Sequence, residues 1–418
     1  MKNRPFLFWP LPVLLFLTAF PLGAEPIRSP AWGFRLDLPE GYEFSGGDGR
    51  DQFSFRSSFG SILDLTVKRA SSPNPQGGIK TMAEELGKNL SSRGETRFFS
   101  YHGRAAALME LRFSGPRPRA GGNPPEYTGH ALLMELEMES RPILVALAYG
   151  PDREELRGLH LSALDSLEGG EGDHRLPGPV TECLYPPGAW EKRRLAGQGG
   201  EAFFRKNDES AAQALVDREF AVLRLYRSSP LWREAWKRFY RAIFKDSYDR
   251  LKDAAFILER GWNGGVENQN TPGTGGQAAP EASGGTALPP RNTEARLIAA
   301  KALEWVQGFR YERDLLGSDF VNLITAVREG RGDCDSRALL WAIILEQANI
   351  PAGIMVSREY SHAMGMADLE GPGARFPMKD EAGADIRWIV AETAAQVNLG
   401  LIEQGVSDPA HWLGILFY

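Results

Sequence analysis

Cysteine is nearly absent from this chain: Cys183 and Cys334 are the only two among 418 residues. With no C-x-x-C pair and no Cys/His cluster, neither a disulfide framework nor a cysteine-rich zinc module can organise the fold. Histidine is sparse too, at six residues. Positive charge is not in excess: 48 Lys and Arg against 54 Asp and Glu leave a net charge of −6. That balance gives no electrostatic reason to expect nucleic-acid binding. Beyond the N-terminus no apolar run is long enough to span a bilayer, and no internal repeat with a period of about 20 to 50 residues is present. What remains is 42% hydrophobic and 24% charged, an ordinary globular composition. The length predicts two or three domains.

The first 24 residues read as an address. Lys2 and Arg4 precede an apolar run from Phe6 to Phe20, then Pro21-Leu22-Gly23-Ala24. Positive, apolar and small residues in that order form a secretory signal peptide, with cleavage expected after Ala24. No cysteine follows the cleavage site to carry a lipid. The mature protein is therefore expected to be periplasmic or secreted and not an integral membrane protein.

Residues 25–170 read as an α+β sandwich, an antiparallel sheet backed by helices. Phe34, Leu36 and Leu38 alternate with polar neighbours as in a half-buried strand. Similar runs occur at Phe53–Phe55, Leu63–Val67, Ala105–Phe113, Ala131–Met138 and Ile143–Tyr149, with helices near Thr81–Leu90 and Arg153–Leu167. No nucleophile-base set stands out, and His102, His130 and His160 read as surface or hydrogen-bonded structural residues. A binding or spacer module is the expectation. The opening Phe34-Arg35-Leu36-Asp37-Leu38-Pro39-Glu40-Gly41-Tyr42 and the closing Ala163-Leu164-Asp165-Ser166-Leu167 resemble the PsbP-like α/β-sandwich family.

From 175 to 262 the period becomes helical. Trp232, Trp236, Phe239, Tyr240, Ile243, Phe244, Leu251, Ala255 and Leu258 fall on one face, expected to be a core seam between helices. Arg233, Lys237, Arg238, Arg241 and Lys245 populate the other side, expected to be solvated or to attract an anionic envelope polymer. Residues 263–292 are rich in Gly, Pro, Asn, Thr and Ala and read as a flexible linker or loop.

Chemistry concentrates in residues 293–418. The stretch Gly332-Asp333-Cys334-Asp335-Ser336 precedes an apolar run, Ala338–Leu345, that stops before Pro351. This predicts a buried helix beginning at Asp333-Cys334, with Gly332 in the approach turn and Asp333 or Asp335 as its cap. A helix N-terminus favours thiolate over thiol, whereas two flanking aspartates oppose it, so a nearby base is required. His362, on a predicted strand with Met364 and Met366, supplies an imidazole. A further strand, Ile386–Thr393, ends in Glu392. Cysteine, histidine and carboxylate in this order form a nucleophile-base-orienter set. Asp385 and Asp368 are alternative orienters, because residues 369–385 read as an insertion. Metal binding through Cys334 and His362 lacks two further ligands at sensible spacing.

Gly332-Asp333-Cys334 with Ala338-Leu339-Leu340, Asn349-Ile350-Pro351-Ala352 and Ser361-His362-Ala363 resembles the transglutaminase-like superfamily in its bacterial branch. The resemblance implies a papain-like core in which Cys334 is the nucleophile, His362 the base and Glu392 the third member, where the family usually has Asp. It implies acyl transfer, with a peptide or protein substrate, envelope or cell-wall peptides among them, and water as the favoured acceptor outside the cytoplasm. Neither a cofactor nor a metal is expected, since no calcium loop of the D-x-D-x-D-G type is present. A transglutaminase fold kept as a non-catalytic binding protein is the alternative. Cys183 is expected to be buried and free.

Overall fold

The computed structural model describes residues 26–69, 75–115, 123–197, 200–267, 290–313, 318, 320–379 and 383–417. The expected signal segment and residues 268–289 of the expected linker lie outside them. The described chain is α+β, with helices packed on two large antiparallel sheets. Among the described residues no helix is long and apolar enough to cross a membrane.

A short antiparallel pair, β1 (Ile27–Arg28) and β2 (Arg35–Leu36), opens the chain. The strands β3 (Tyr42–Gly47), β4 (Gln52–Ser57) and β5 (Ile62–Lys68) follow, then helix α1 (Pro75–Leu90). Next come β6 (Thr96–Tyr101), β7 (Arg104–Ser114), β8 (Glu126–Glu135), β9 (Ile143–Pro151) and α2 (Glu154–Asp165). The seven-stranded sheet runs β3-β4-β5-β9-β8-β7-β6. On one face Ala105, Ala107, Met109, Ala131, Leu133, Ile143 and Val145 pack with Ile79 and Ala83 of α1. Their neighbours in sequence, Ala106, Leu108, Leu132, Met134, Leu144 and Ala146, pack with Phe34, Leu36 and Leu164 on the other. Central strands covered on both faces lose polar alternation, which is why they read as unbroken apolar runs. Phe34–Leu38, expected as a strand, contributes only the two residues of β2, although Phe34 and Leu36 are fully buried.

Helix α3 (Pro179–Leu184) leads into β10 (Trp190–Arg194) and β11 (Glu201–Arg205), an antiparallel hairpin inside the stretch expected to be helical. Ala202 and Phe204 are buried while Glu201 and Phe203 face out, a period of two. The facing strand, Trp-Glu-Lys-Arg-Arg, has no apolar period to detect; it is paired through the backbone and by Arg205 stacked 3.8 Å over the Trp190 ring. Helices α4 (Asp208–Leu225), α5 (Trp232–Arg250), α6 (Lys252–Glu267) and α7 (Pro290–Gln307) follow, so helix extends into both ends of the expected linker. Phe239, Tyr240, Ile243, Phe244, Leu251 and Leu258 form the expected seam, and the same core continues through Ile298, Leu339, Trp341 and Ile354.

The chain then forms β12 (Arg310–Tyr311), α8 (Leu323–Glu329), β13 (Arg331–Gly332) and α9 (Cys334–Gln347). The last strands are β14 (Ala352–Ser357), β15 (His362–Ala367), β16 (Arg375–Lys379), β17 (Asp385–Ala391) and β18 (Leu413–Ile415), in sheet order β16-β17-β15-β14-β18. Residues 369–385, read as an insertion, contain the edge strand β16, which pairs antiparallel with β17. Its single buried apolar residue, Phe376, gives too weak a pattern to recognise.

On the basic side of α5 Arg233 is exposed as expected, but Arg238, Arg241 and Lys245 are not solvated. Arg238 is 4% exposed and donates to Glu219 at 2.8 Å, to the Ser162 carbonyl and to the Asp37 carbonyl. Arg241 pairs with Asp37 at 3.0 Å and Lys245 with Glu168 at 3.1 Å. These three cations join α5 to α2, α4 and the segments that follow β2 and α2. Removing one partner of a buried pair leaves the other charge desolvated. Arg238→Ala should lower the free energy of unfolding by about 3 kcal/mol in chemical denaturation, a loss well above that of Lys237→Ala on the same helix.

Candidate active site

Helix α9 starts where the residues dictate. Asp333 adopts an extended backbone and its carboxylate accepts the Ser336 N–H at 2.8 Å, so Asp333 is the N-cap. Asp335 is engaged elsewhere, accepting the hydroxyl of buried Tyr240. The turn glycine is Gly330, at φ +63° after α8, and not Gly332. Gly332 serves space instead, since a Cβ there would lie 3.3 Å from Ser336.

The helix closes onto β15 through small residues. Ala363 and Ala367 are fully buried in the shared core, and a Cβ at Gly365 would come within 2.4 Å of the Trp341 ring. This close approach brings the Cys334 sulfur to the backbone N–H of Ala363, the residue after His362. A second donor reaches the sulfur from β12. The parallel pairing of Tyr311 with Gly332 holds that tyrosine beside the helix start, and its hydroxyl donates to Cys334. Tyr311 is half exposed, whereas Cys334 is 2% exposed, so the phenol lies between the thiol and solvent.

Of the three carboxylates considered, Glu392 is the one joined to the imidazole. Its Oε2 lies 2.8 Å from His362 Nε2, and its Oε1 accepts the Ala394 N–H at 2.8 Å. The extra methylene relative to Asp is taken up by that backbone bond. Asp385 is exposed at the far end of β17, paired with Lys379, and Asp368 is exposed beyond the far end of β15. Among the described residues the His362 ring bonds Glu392 and not Cys334. The Trp412 ring packs on the imidazole with centroids 6.1 Å apart.

Electrostatics at the sulfur differ from the helix-dipole expectation. Burial pushes the Cys334 thiol up to about 12, and Asp335 and Asp333 push the same way against the two hydrogen bonds. Desolvation of the charged form outweighs the dipole. Cys183 is free and buried in the other core, packed with Val180 and Leu184 near the first sheet. Among the described residues no three His, Cys, Asp or Glu side chains converge as a metal site.

Two participants were not recognised from sequence. Tyr311 carries no recognisable signal, because its strand and the partner strand are only two residues each. Arg337 is 2% exposed and donates to three carbonyls: Gly332 at 3.1 Å, Phe309 at 2.5 Å and Thr393 at 3.5 Å. An arginine on the first turns of an apolar helix signals little by itself. No family model and no curated protein matches this chain.

A lysine cannot reproduce three divergent donors on a planar fork. Arg337→Lys should cost about 2 kcal/mol of stability. It should also slow alkylation of Cys334 more than that of Cys183, measured by quantitative peptide mapping.

Proposed function

We propose that the protein is an exported transglutaminase-like cysteine hydrolase that cleaves peptide or isopeptide amides through an acyl-enzyme. The observation that carries this reading is the 2.8 Å bond between His362 and Glu392, on a strand whose next N–H meets the Cys334 sulfur. Glu392 occupies Nε2, which fixes the tautomer and leaves Nδ1 to face the nucleophile. In the substrate complex Tyr311 is displaced from above the sulfur and the thiol meets Nδ1. Catalytic hydrogen bonds are commonly long in the free enzyme and close only with substrate. Cys334 attacks the amide carbon as its proton passes to His362, and the oxyanion takes the Cys334 N–H and the Tyr311 hydroxyl as donors. His362 returns the proton to the leaving amine. Water then attacks the thioester, assisted by the same imidazole, and frees the thiol.

A second reading has its own support. A thiol that is 2% exposed and raised to about 12 is also what a retained fold without chemistry would hold, acting as an envelope binding protein. Iodoacetamide separates the two. On the hydrolase reading Cys334 is alkylated faster than Cys183 at neutral pH, and His362→Ala slows it roughly tenfold. The slowed reaction of that variant should then climb about tenfold per pH unit from pH 7 to 10, because the thiolate fraction grows below a thiol value of about 12. A rate at Cys334 indifferent to His362→Ala supports the binding-protein reading.

A further inference from the structure

The aromatic face of α5 is not all core. Trp232 and Trp236 are only partly buried, with ring centroids 5.8 Å apart, and with Trp412 they line an open cleft of about 420 Å³. Its other walls include Val356 and two arginines, Arg233 and Arg358. The two guanidinium carbons lie 5.3 and 5.5 Å from the centre of the Trp232 ring. Among the described residues neither arginine has a carboxylate partner. The one carboxylate lining the cleft, Glu359, is held by His411 Nδ1 at 2.6 Å. The cleft therefore offers an aromatic wall beneath two unneutralised planar cations, an arrangement suited to a carboxylate attached to an apolar group.

The cleft borders the candidate site through a shared residue. Trp412 forms part of its wall and also packs on the His362 ring. Arg358 stands in the turn between β14 and β15, immediately after Ser357, which pairs with His362. On the opposite wall Trp236 stacks towards Tyr240, at 6.4 Å, and Tyr240 bonds Asp335 beside the nucleophile.

We propose that this cleft binds the substrate next to the scissile bond and selects peptides that carry a free carboxylate beside an aromatic or aliphatic side chain. The assignment rests on the acyl-transfer reading of Cys334. A neutral sugar could stack on the indoles but would leave both guanidiniums, which are exposed in the free protein, without an anionic partner.

The test is calorimetric titration of the full chain carrying Cys334→Ala, which prevents turnover. The probes are acetyl-Ala-Gln-Phe-Glu with a free C-terminus, acetyl-Ala-Gln-Phe-Gln-amide, and the trimer of N-acetylglucosamine. The acidic peptide should bind roughly tenfold more tightly than the amide, a preference of the size of one charge-assisted contact. Arg358→Glu, at an exposed turn position, should erase that preference, and Trp232→Ala should weaken both peptides. Equal Kd values for the two peptides, or tighter binding of the sugar than of the acidic peptide, overturn the proposal. Labelling of Cys334 in the unsubstituted chain reads the nucleophile separately. A kept preference with His362-independent labelling sinks the acyl-transfer reading, and the converse sinks the cleft alone.

Discussion

The Arg337 guanidinium donates to the carbonyls of Gly332, Phe309 and Thr393, and Cys334, Tyr311 and Glu392 each hang from one of those segments. Gly332 leads into Asp333 and Cys334, Phe309 into Tyr311, and Thr393 follows Glu392. These pieces are far apart in sequence and belong to different elements. Among the described residues Arg337 has no carboxylate partner, and such a buried cation needs its hydrogen bonds satisfied, so the three segments are fixed relative to one another with little freedom. The Gln307 amide adds a second clamp, donating to the Glu392 and Val397 carbonyls at 2.8 and 2.9 Å. The small residues of β15 then set how near α9 may come, and that approach decides where the sulfur sits.

Two opposing effects meet at that sulfur. The helix N-terminus and two hydrogen bonds stabilise a thiolate, while burial and two aspartates stabilise the thiol. Burial wins in the free protein. On the proposed hydrolase reading, the sulfur is kept as thiol until substrate displaces Tyr311, and a buried thiol is less open to oxidation than a standing thiolate. On the same reading the imidazole, already held by Glu392, carries the burden of activation.

The site was more legible than its supports. Gly332-Asp333-Cys334 before an apolar run announces a helix start by local rules alone, and His362 and Glu392 follow from strand patterns nearby. The seven-stranded sheet was legible for a similar reason, since Ala105–Phe113 and Ile143–Tyr149 are dense in apolar residues whichever face they turn. What escaped depends on tertiary partners. Tyr311 acquires a role only through a two-residue parallel pairing, and Arg337 only through carbonyls that no sequence pattern reports. Arg238, Arg241 and Lys245 of α5 look solvated until Glu219, Asp37 and Glu168 are set against them. The strand Arg375–Lys379 and the hairpin Trp190–Arg205 are edge elements, where charge and proline blur the period of two.

On the proposed reading Cys334, His362 and Glu392 work as one nucleophilic unit. Rapid mixing with p-nitrophenyl acetate, followed by mass mapping, tests it most directly. A burst of p-nitrophenol close to one equivalent of protein and an acetyl thioester on Cys334 are expected, both lost in His362→Ala. Absence of a burst, or acetyl groups spread over lysines with none on Cys334, would contradict it.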